Sequence, residues 1–268
     1  MKLDEAIKLL SEAGVPDPEF DARSIFLSIG GVALYDLRRA DVCAGVLLDA
    51  IRRRASREPL QYILGKVGFY KEEYKVSPDC LIPRSDTEIL VDLAVREMPK
   101  GGRFLDLCTG SGCVAISTLA NTEDTTAIAV DISDGAIRIA KENAAINNVE
   151  SRLTLLKADL MTEEDAFLGA YDAVLSNPPY IRQDVYEGLE KEIFMEPSIA
   201  FVGGEDGLDF YRRILDLCPR MVKPGGFIAM EIGFDQGDAL LGLCRERGLG
   251  GSIVKDLCGN DRVVFIKI

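Results

Sequence analysis

The tetrad Asn177-Pro178-Pro179-Tyr180 combines residue types that can prepare a nitrogen atom for reaction. Two successive prolines fix φ and lack N–H groups, so they hold the backbone rigidly. The Asn177 side chain and the Pro178 carbonyl can then present two acceptors to an NH2 group, which offers two donors. Accepting both hydrogens orients the nitrogen, raises its electron density and stabilises the positive charge that grows as it attacks an electrophilic carbon. Tyr180 can stack on the planar group and favour that charge.

The position of the tetrad matters as much as its residues. It follows a predicted strand, Tyr171 to Ser176, and open α/β sheets bind ligands at the carboxyl ends of their strands. Asn-Pro and Pro-Pro are also strong breakers of secondary structure, so a plain turn is the alternative. The position favours a binding or catalytic role.

A glycine-rich segment earlier in the chain is typical of cofactor-binding loops. It runs Asp106-Leu107-Cys108-Thr109-Gly110-Ser111-Gly112-Cys113-Val114-Ala115, after one predicted strand and before a predicted helix. G-S-G-C-V-A fits the dinucleotide fingerprint, and Asp131 ends the next strand 21 residues after Gly110. The alternative is that the glycines only make a tight turn and that Asp131 and Asp159 cap helices.

Charge separates two classes of cofactor for this loop. Asp106 beside the loop would repel the pyrophosphate of a dinucleotide, whereas S-adenosylmethionine has no phosphate and carries a sulfonium and an ammonium. The glycines let the backbone approach its methionine part closely. Asp131 can accept both ribose hydroxyls, and Asp159 can accept from the adenine amino group. The sequence therefore favours S-adenosylmethionine as the cofactor.

The composition excludes several other chemistries. The chain has 268 residues and no histidine, which excludes a Ser-His-Asp triad, a Cys-His pair and an H-E-x-x-H zinc site. Its seven cysteines include no C-x-x-C motif, so they indicate neither a disulfide framework nor a zinc site. The net charge of −13 opposes direct binding of nucleic acid. The acidic start of the chain and the lack of a long apolar run predict a cytoplasmic protein with no membrane partner.

A sheet must position these residues, because short apolar strands alternate with longer helical segments after Gly101. The alternation predicts an α/β fold with a doubly wound sheet covered by helices on both faces. The last two strands are joined by a connection too short for a crossover helix, so we expect them to pair antiparallel. The seven predicted strands are Phe104 to Cys108, Ala127 to Ile132, Leu153 to Asp159, Tyr171 to Ser176, Phe227 to Ile232, Ile253 to Leu257 and Val263 to Ile268.

The first sixty residues have helical periodicity instead. Apolar residues recur at i, i+3, i+4 and i+7 from Leu3, and Asp17 can cap a second helix. The Arg52-Arg53-Arg54 run predicts a solvated helix end, where cations suit the negative end of the helix dipole. Aromatic and β-branched residues from Val67 to Ile82 then predict a hairpin between two domains.

Four motifs together resemble the PrmC/HemK family of peptide chain release factor glutamine methyltransferases. They are Glu58-Pro59-Leu60-Gln61-Tyr62-Ile63-Leu64-Gly65, Ile82-Pro83-Arg84-Ser85-Asp86-Thr87-Glu88, the glycine loop and Ser176-Asn177-Pro178-Pro179-Tyr180-Ile181. Ser85 stands where the family usually has proline. The resemblance covers nearly the whole chain and implies a seven-stranded, Rossmann-like class I methyltransferase sheet whose last strand is antiparallel. It also implies a helical release-factor-recognition domain at 1–62, a hairpin linker at 63–88 and a methyltransferase domain at 89–268.

The resemblance implies an activity as well. The enzyme would transfer a methyl group from S-adenosyl-L-methionine, leaving S-adenosyl-L-homocysteine, to the glutamine amide in the Gly-Gly-Gln loop of class 1 release factors. Asn177, Pro178 and Tyr180 would be the catalytic residues, and no metal is expected. The expected cofactor contacts are Thr109, Gly110, Ser111, Gly112, Cys113, Asp131, Asp159, Leu160 and Asn177. The expected substrate contacts are Asn177, Pro178, Pro179, Tyr180, Phe69, Arg84 and Glu88.

Two other functions are compatible with the same residues. An RNA or DNA amino-methyltransferase shares the N-P-P-Y tetrad, but it must find nucleic acid electrostatically, and this chain has no evident basic module. A nonenzymatic binding module would keep the loop and the tetrad as inherited scaffolding. Thermal stabilisation by S-adenosylmethionine, or its absence, separates that module from both enzymes.

Overall fold

The computed structural model describes residues 1–42 and 45–268, and the chain divides into two units. The first unit contains Met1–Val67 and Glu190–Met195. The second unit contains Gly68–Leu189 and Glu196–Ile268. Cys43 lies outside the described residues. The division of the chain into three domains with separate roles stays a prediction.

Helices dominate the described part of the first unit, as the periodicity of the first sixty residues predicts. They are α1 (Leu3–Glu12), α2 (Pro18–Ser28), α3 (Gly45–Ala55) and α4 (Leu60–Leu64). Their apolar faces share one core, in which Leu10, Ile25 and Phe26 are fully buried. Asp17 caps α2, because its carboxylate accepts a hydrogen bond from Phe20 N at 3.2 Å.

The arginine run at the end of α3 is only partly solvated, so the predicted solvated helix end is wrong for one of its three residues. Arg52 is exposed, but Arg54 is buried, and its Nε donates to Asp21 Oδ2 at 2.6 Å. Arg54 also donates to Glu192 Oε1 at 3.2 Å, and Arg57 Nη2 donates to Glu192 Oε2 at 2.6 Å. Asp21 is buried on α2 and requires a counter-charge, which the pattern along one helix cannot reveal.

The predicted hairpin is present but shorter than expected. A two-stranded sheet pairs β1 (Lys66–Phe69) with β2 (Glu72–Lys75), and Tyr70 in the turn has a φ of +58°. The strand ends at Lys75 rather than at Ile82. Proline cannot donate to a strand ladder, and Pro78 lies in the segment that stays irregular.

A seven-stranded sheet forms the centre of the second unit, as predicted. Its strands are β3 (Arg103–Leu107), β4 (Thr126–Asp131), β5 (Leu153–Lys157), β6 (Tyr171–Ser176), β7 (Val222–Glu231), β8 (Gly250–Lys255) and β9 (Asp261–Lys267). They lie in the order β5-β4-β3-β6-β7-β9-β8. The last strand, β9, is antiparallel to its neighbours β7 and β8, and the remaining pairs are parallel. The predicted α/β class and the antiparallel last strand are confirmed.

Helices pack against this sheet and bury its apolar residues. They are α5 (Glu88–Glu97), α6 (Cys113–Ala120), α7 (Asp134–Ile146), α9 (Asp209–Met221) and α10 (Gly237–Glu246). The short helix α8 (Gln183–Tyr186) follows the tetrad in the sequence. Ile214 and Met221 of α9 are fully buried in one cluster with Leu105 of β3 and Ile228 of β7. In the described ranges, none of the helices is both long enough and apolar enough to cross a membrane.

The register of the parallel strands brings several chain segments to one level at the carboxyl edge of the sheet. Leu107 of β3 pairs with Val130 of β4 and with Ser176 of β6. Ser176 pairs in turn with Met230 of β7. The next residues along these strands are Cys108, Asp131, Asn177 and Glu231.

Candidate active site

The glycine loop and the N-P-P-Y tetrad leave the sheet side by side. They follow Leu107 and Ser176, which are paired residues of neighbouring strands. The Ser176 hydroxyl donates to the Leu107 carbonyl at 2.7 Å and ties the two strand ends together. The sequence predicts each motif at the end of a strand, and the strand order makes those two strands neighbours.

A cavity of about 300 Å³ opens at this edge and has mostly apolar walls. Its volume lies at the lower end of the range for small-molecule sites, about 300–1,000 Å³. The predicted site residues in its wall are Gly110, Asp131, Asp159, Leu160, Asn177 and Pro179. The predicted site residues outside its wall are Thr109, Ser111, Gly112, Cys113, Pro178, Tyr180, Phe69, Arg84 and Glu88.

The backbone of the loop depends on its two glycines. Gly110 has a φ of +55° and Gly112 a φ of +84°, a region in which side chains are strained. A Cβ atom on Gly112 would lie 2.8 Å from Ile116 Cδ1 on α6 and 3.2 Å from Ala140 Cβ on α7. A Cβ atom on Gly110 would meet nothing within 4 Å. Gly112 therefore serves close packing as well as the turn, whereas Gly110 serves the turn.

Asp131 ends β4 with a carboxylate that is braced from two sides. Its Oδ1 accepts from Ser133 N at 2.9 Å, and its Oδ2 accepts from Gly110 N at 2.8 Å. Burial raises the pKa of this carboxyl, and the two N–H groups oppose the shift because they stabilise the charge. The fixed carboxylate keeps lone pairs that can accept from the hydroxyl groups of a ligand.

Asp106 does not face the cavity, which removes the charge argument that the sequence suggests for it. Its side chain is buried at the base of the loop, where it accepts from Thr109 Oγ1 at 2.6 Å and from Ala115 N at 3.2 Å. Burial raises the pKa of Asp106 to about 7. Asp106 therefore braces the loop from within, whereas Asp131 and Asp159 are carboxylates of the cavity wall.

Asp159 follows β5 and lies in the cavity wall. Its Oδ1 accepts from Met161 N at 2.8 Å, and its Oδ2 accepts from Thr162 Oγ1 at 2.9 Å. These contacts close a local turn, and the alternative of a helix cap is wrong for Asp159 because the next helical turn, Glu164–Ala166, is preceded by Glu163. Each oxygen of Asp159 still keeps a lone pair. Contact with an adenine amino group stays a prediction.

Asn177 lies in the cavity wall and is held by a residue outside the tetrad. Its Nδ2 donates to Thr87 Oγ1 at 3.1 Å. No residue in the described ranges donates to its Oδ1. The side-chain amide is thereby oriented with its nitrogen toward Thr87 and its oxygen available to a ligand.

Tyr180 is partly buried and anchored at both ends. Its hydroxyl donates to Glu231 Oε1 at 3.3 Å, and its carbonyl accepts from Gln236 Nε2 at 3.0 Å. Burial and the neighbouring Glu231 carboxyl raise the pKa of Tyr180, so the hydroxyl stays protonated near neutral pH. The ring has a fixed position, and its stacking on a substrate stays a prediction.

Three predicted substrate contacts have partners within the fold. Phe69 is buried and packs edge-on against a neighbouring tyrosine ring, with centroids 5.8 Å apart. Arg84 Nη2 donates to buried Glu196 at 2.5 Å, and Glu88 Oε1 accepts from Tyr70 N at 2.9 Å. These contacts account for the three residues structurally, and their contact with a substrate stays a prediction.

Comparisons with known proteins identify the family of this chain. The model of the methyltransferase small domain matches residues 85–199, and that of the PrmC N-terminal domain matches residues 2–65. Release factor glutamine methyltransferase of Caulobacter vibrioides is 38% identical over 267 residues, which cover 96% of this chain and 91% of that protein. The chain belongs to the release factor glutamine methyltransferase family.

Further relatives support the assignment to this family. Release factor glutamine methyltransferase of Moorella thermoacetica is 35% identical, across 97% of this chain and 95% of that protein. A ribosomal protein L11 methylase from Lactobacillus delbrueckii subsp. bulgaricus is 21% identical and has a TM-score of 0.52, over 71% of this chain and 82% of that chain. This structural likeness concerns the fold. The predicted family and the predicted class of enzyme are confirmed.

The polar and apolar residues that line the cavity of this methyltransferase fit the chemistry of S-adenosylmethionine. Asp131 and Asp159 supply carboxylate acceptors, and Ile132, Leu160 and Met161 supply apolar surface for a flat ring. Gly110 allows the backbone close to a ligand. In the part of the chain that the structure describes, no group of three His, Cys, Asp or Glu side chains could hold a metal ion.

Part of the cavity wall of this methyltransferase comes from residues that no sequence motif indicates. The missed residues in the cavity wall include Asp79, Cys80, Leu81, Pro197, Ile199 and Phe210. Their positions depend on packing between distant segments, which no local pattern encodes. Glu231 carried a usable signal, because an acidic residue follows a run of apolar strand residues there, as at Asp131.

Proposed function

We propose that this methyltransferase transfers a methyl group from S-adenosylmethionine to the side-chain amide nitrogen of the glutamine in the Gly-Gly-Gln loop of class 1 release factors. The observation that carries the proposal is the fixed amide of Asn177 in the cavity wall, with Oδ1 available as an acceptor. Relatives that match nearly the whole chain and are named release factor glutamine methyltransferase support this substrate.

Asn177 and Pro178 prepare the substrate nitrogen for attack. The lone pair of an amide nitrogen is delocalised, so that nitrogen is a poor nucleophile. The Asn177 Oδ1 and the Pro178 carbonyl accept its two N–H hydrogens and aim the nitrogen at the methyl group. Both acceptors also stabilise the positive charge that grows on the nitrogen during transfer. The proton leaves after the methyl group has been transferred, so the reaction needs no histidine.

The residues around the cavity bind and orient the cofactor. S-adenosylmethionine supplies an activated methyl group on a sulfonium. Asp131 accepts from the ribose hydroxyls, Leu160 packs on the adenine, and Asp159 accepts from its amino group. The backbone of the glycine loop, from Thr109 to Cys113, follows the methionine part. The apolar walls exclude water from the reacting groups.

An exocyclic amine of a nucleobase would present the same two hydrogens to Asn177, so an RNA or DNA substrate is the competing function. The net charge of −13 opposes it, because a nucleic acid must be held by cations that neutralise its phosphates. The relatives that match nearly the whole chain are named release factor glutamine methyltransferase, which supports a protein substrate instead.

Peptide mass analysis of a class 1 release factor tests the proposal. We expect the purified protein and S-adenosylmethionine to add a single methyl group to the Gly-Gly-Gln glutamine. A release factor in which glutamate replaces that glutamine is the matched control and should gain none. Total RNA serves as the competing substrate. Methylation of RNA with an unmodified release factor would overturn the proposal.

A further inference from the structure

Thr87 and Glu231 form a polar cluster behind Asn177 that has no part in the transfer step itself. Both side chains are buried, with 1% and 2% of their surface exposed. Thr87 Oγ1 accepts from Asn177 Nδ2, and Glu231 Oε1 accepts from the Tyr180 hydroxyl. Glu231 Oε2 has no hydrogen-bond partner among the described residues. A buried carboxyl oxygen without a partner is costly, so its retention beside the site needs an explanation.

The hydrogen of the Thr87 hydroxyl decides how Asn177 is oriented. A hydroxyl that donates its hydrogen elsewhere keeps its lone pairs for an incoming donor. Asn177 and Glu231 directly follow the paired residues Ser176 and Met230, so the hydroxyl that Asn177 contacts lies at the same edge of the sheet as the Glu231 carboxyl. Thr87 also opposes the rise in the pKa of Glu231, which is the effect of a donor. With its hydrogen directed to Glu231, Thr87 accepts the NH2 end of Asn177 and disfavours the carbonyl end.

We infer that Thr87 and Glu231 are positioning residues that keep the Asn177 carbonyl oxygen, rather than its NH2 group, turned toward the substrate amide. The inference rests on the proposed function for its catalytic consequence. A flipped Asn177 would present two donors to a substrate that also has two donors, and the substrate nitrogen would lose one of its acceptors. The ionised Glu231 carboxylate, which accepts from the Tyr180 hydroxyl, is the form that can also accept from the Thr87 hydroxyl.

Protonation of Glu231 should weaken this arrangement, because a carboxylic acid carries a donor of its own. Burial raises the pKa of Glu231 to about 7, so both forms exist near neutral pH. Arg262 opposes the shift and Asp86 adds to it. The titratable or charged groups that face Glu231 are Tyr180, Arg262, Asp86, Tyr211 and Cys113. The maximum rate should therefore rise as the pH increases through about 7.

Kinetics of paired variants test the catalytic consequence. Thr87→Val keeps the shape of the side chain but removes the hydroxyl, and Thr87→Ser restores the hydroxyl. We expect Thr87→Val to lower kcat by about 10- to 100-fold, with KM for the release factor changed by less than about threefold. Thr87→Ser should recover most of the rate. Equal losses in both variants, or no loss in Thr87→Val, would overturn the inference.

Glu231→Gln tests the protonation step in the same assay. This variant has no titrating carboxyl, so its kcat should lack the rise through about pH 7 that the wild type shows. Thermal stabilisation by S-adenosylmethionine checks that each variant is folded and binds cofactor. If kcat of Glu231→Gln still rises through about pH 7, another group controls the rate and the role of Glu231 is wrong.

An NMR measurement separates this inference from the proposed function. The side-chain NH2 signals of Asn177, assigned by their loss in Asn177→Ala, are followed against pH in protein labelled at asparagine. We expect them to shift with a midpoint near pH 7 in the wild type and to stay constant in Glu231→Gln. If wild type shows this coupling but does not methylate release factor, the proposed function fails and the orientation by Glu231 stands. If the Asn177 NH2 signals of the wild type do not change with pH, the inference is wrong, whichever substrate the enzyme methylates.

Discussion

The side-chain nitrogen of Asn177 donates a hydrogen bond to the Thr87 hydroxyl across 3.1 Å, although 90 positions separate the two residues. Thr87 belongs to the Ile82–Glu88 motif and Asn177 to the N-P-P-Y tetrad. Two motifs that are separate in the sequence therefore meet at one pair of atoms. The contact fixes the amide that the proposed mechanism needs, so the segment before α5 is part of the site and not only a connection.

Replacement of Asp131 should weaken the binding of S-adenosylmethionine. The Asp131 carboxylate accepts from Gly110 N and lines the cavity, so Asp131→Ala removes a charged acceptor and loosens the loop. We expect an affinity loss of at least about tenfold by calorimetry, as for other hydrogen bonds to charged groups. Asp134→Ala is the matched control, because Asp134 is exposed and pairs with Lys157. Equal affinities for the wild type and Asp131→Ala would refute this role.

The two glycines of the loop should respond differently to the same substitution. Gly112→Ala combines a strained φ with a clash against Ile116 and Ala140, so we expect a loss of about 2–4 kcal/mol in the free energy of unfolding. Gly110→Ala adds only the backbone strain, about 1–2 kcal/mol. Urea unfolding followed by circular dichroism measures both. A smaller loss for Gly112→Ala than for Gly110→Ala would contradict the packing described at this loop.

Local sequence patterns correctly predict much of the observed fold. The strand from Tyr171 to Ser176 has the predicted bounds, and the Asp17 cap and the antiparallel last strand are also present. These features depend on periodicity, capping chemistry and connection length, which are local properties. The order β5-β4-β3-β6-β7-β9-β8 is a property of the whole chain, and it alone makes the glycine loop and the tetrad neighbours.

The site was predictable only where a motif carries its own chemistry. Asp131 and Asn177 lie in the cavity wall, and their contacts with a cofactor and a substrate stay predictions. The prediction that Asp106 faces the cofactor is wrong, because a position beside a loop does not reveal whether a carboxylate points outward or into the core. Thr87 and Glu231 act on Asn177 from distant parts of the chain, and no spacing rule connects them.

The buried carboxyl of Asp106 should give the stability a defined pH dependence. Burial raises the pKa of Asp106 in the folded protein to about 7, above the ordinary value of about 3.9 for an unfolded chain. The folded state therefore binds this proton more tightly, and stability falls as the pH rises between those two values. Asp106→Asn removes this contribution. In urea unfolding, the free energy of unfolding of Asp106→Asn minus that of the wild type should be larger at about pH 8 than at about pH 5. The same difference in stability between Asp106→Asn and the wild type at both pH values would show that Asp106 is charged in the folded protein at both.

Arg54 should matter far more for stability than its neighbour Arg52. Arg54→Ala leaves the buried Asp21 without its closest counter-charge, and we expect a loss of about 3–5 kcal/mol. Arg52→Ala, on the exposed side of the same run, should change stability by less than about 0.5 kcal/mol. Combining Arg54→Met with Asp21→Leu should recover most of the loss, because the unpaired charge is then gone. Similar losses in the free energy of unfolding for Arg54→Ala and Arg52→Ala would show that the arginine run is uniformly solvated.

The initial rate of methyl transfer to the release factor, compared between the wild type and Asn177→Ala, tests the central claim most directly. Mass analysis at saturating S-adenosylmethionine gives both the rate and the methylated atom. We expect the wild type to methylate the side-chain amide of the Gly-Gly-Gln glutamine, and Asn177→Ala to be slower by about 100-fold or more. An unchanged rate in Asn177→Ala, or a methyl group on a different atom in the wild-type reaction, would contradict the account.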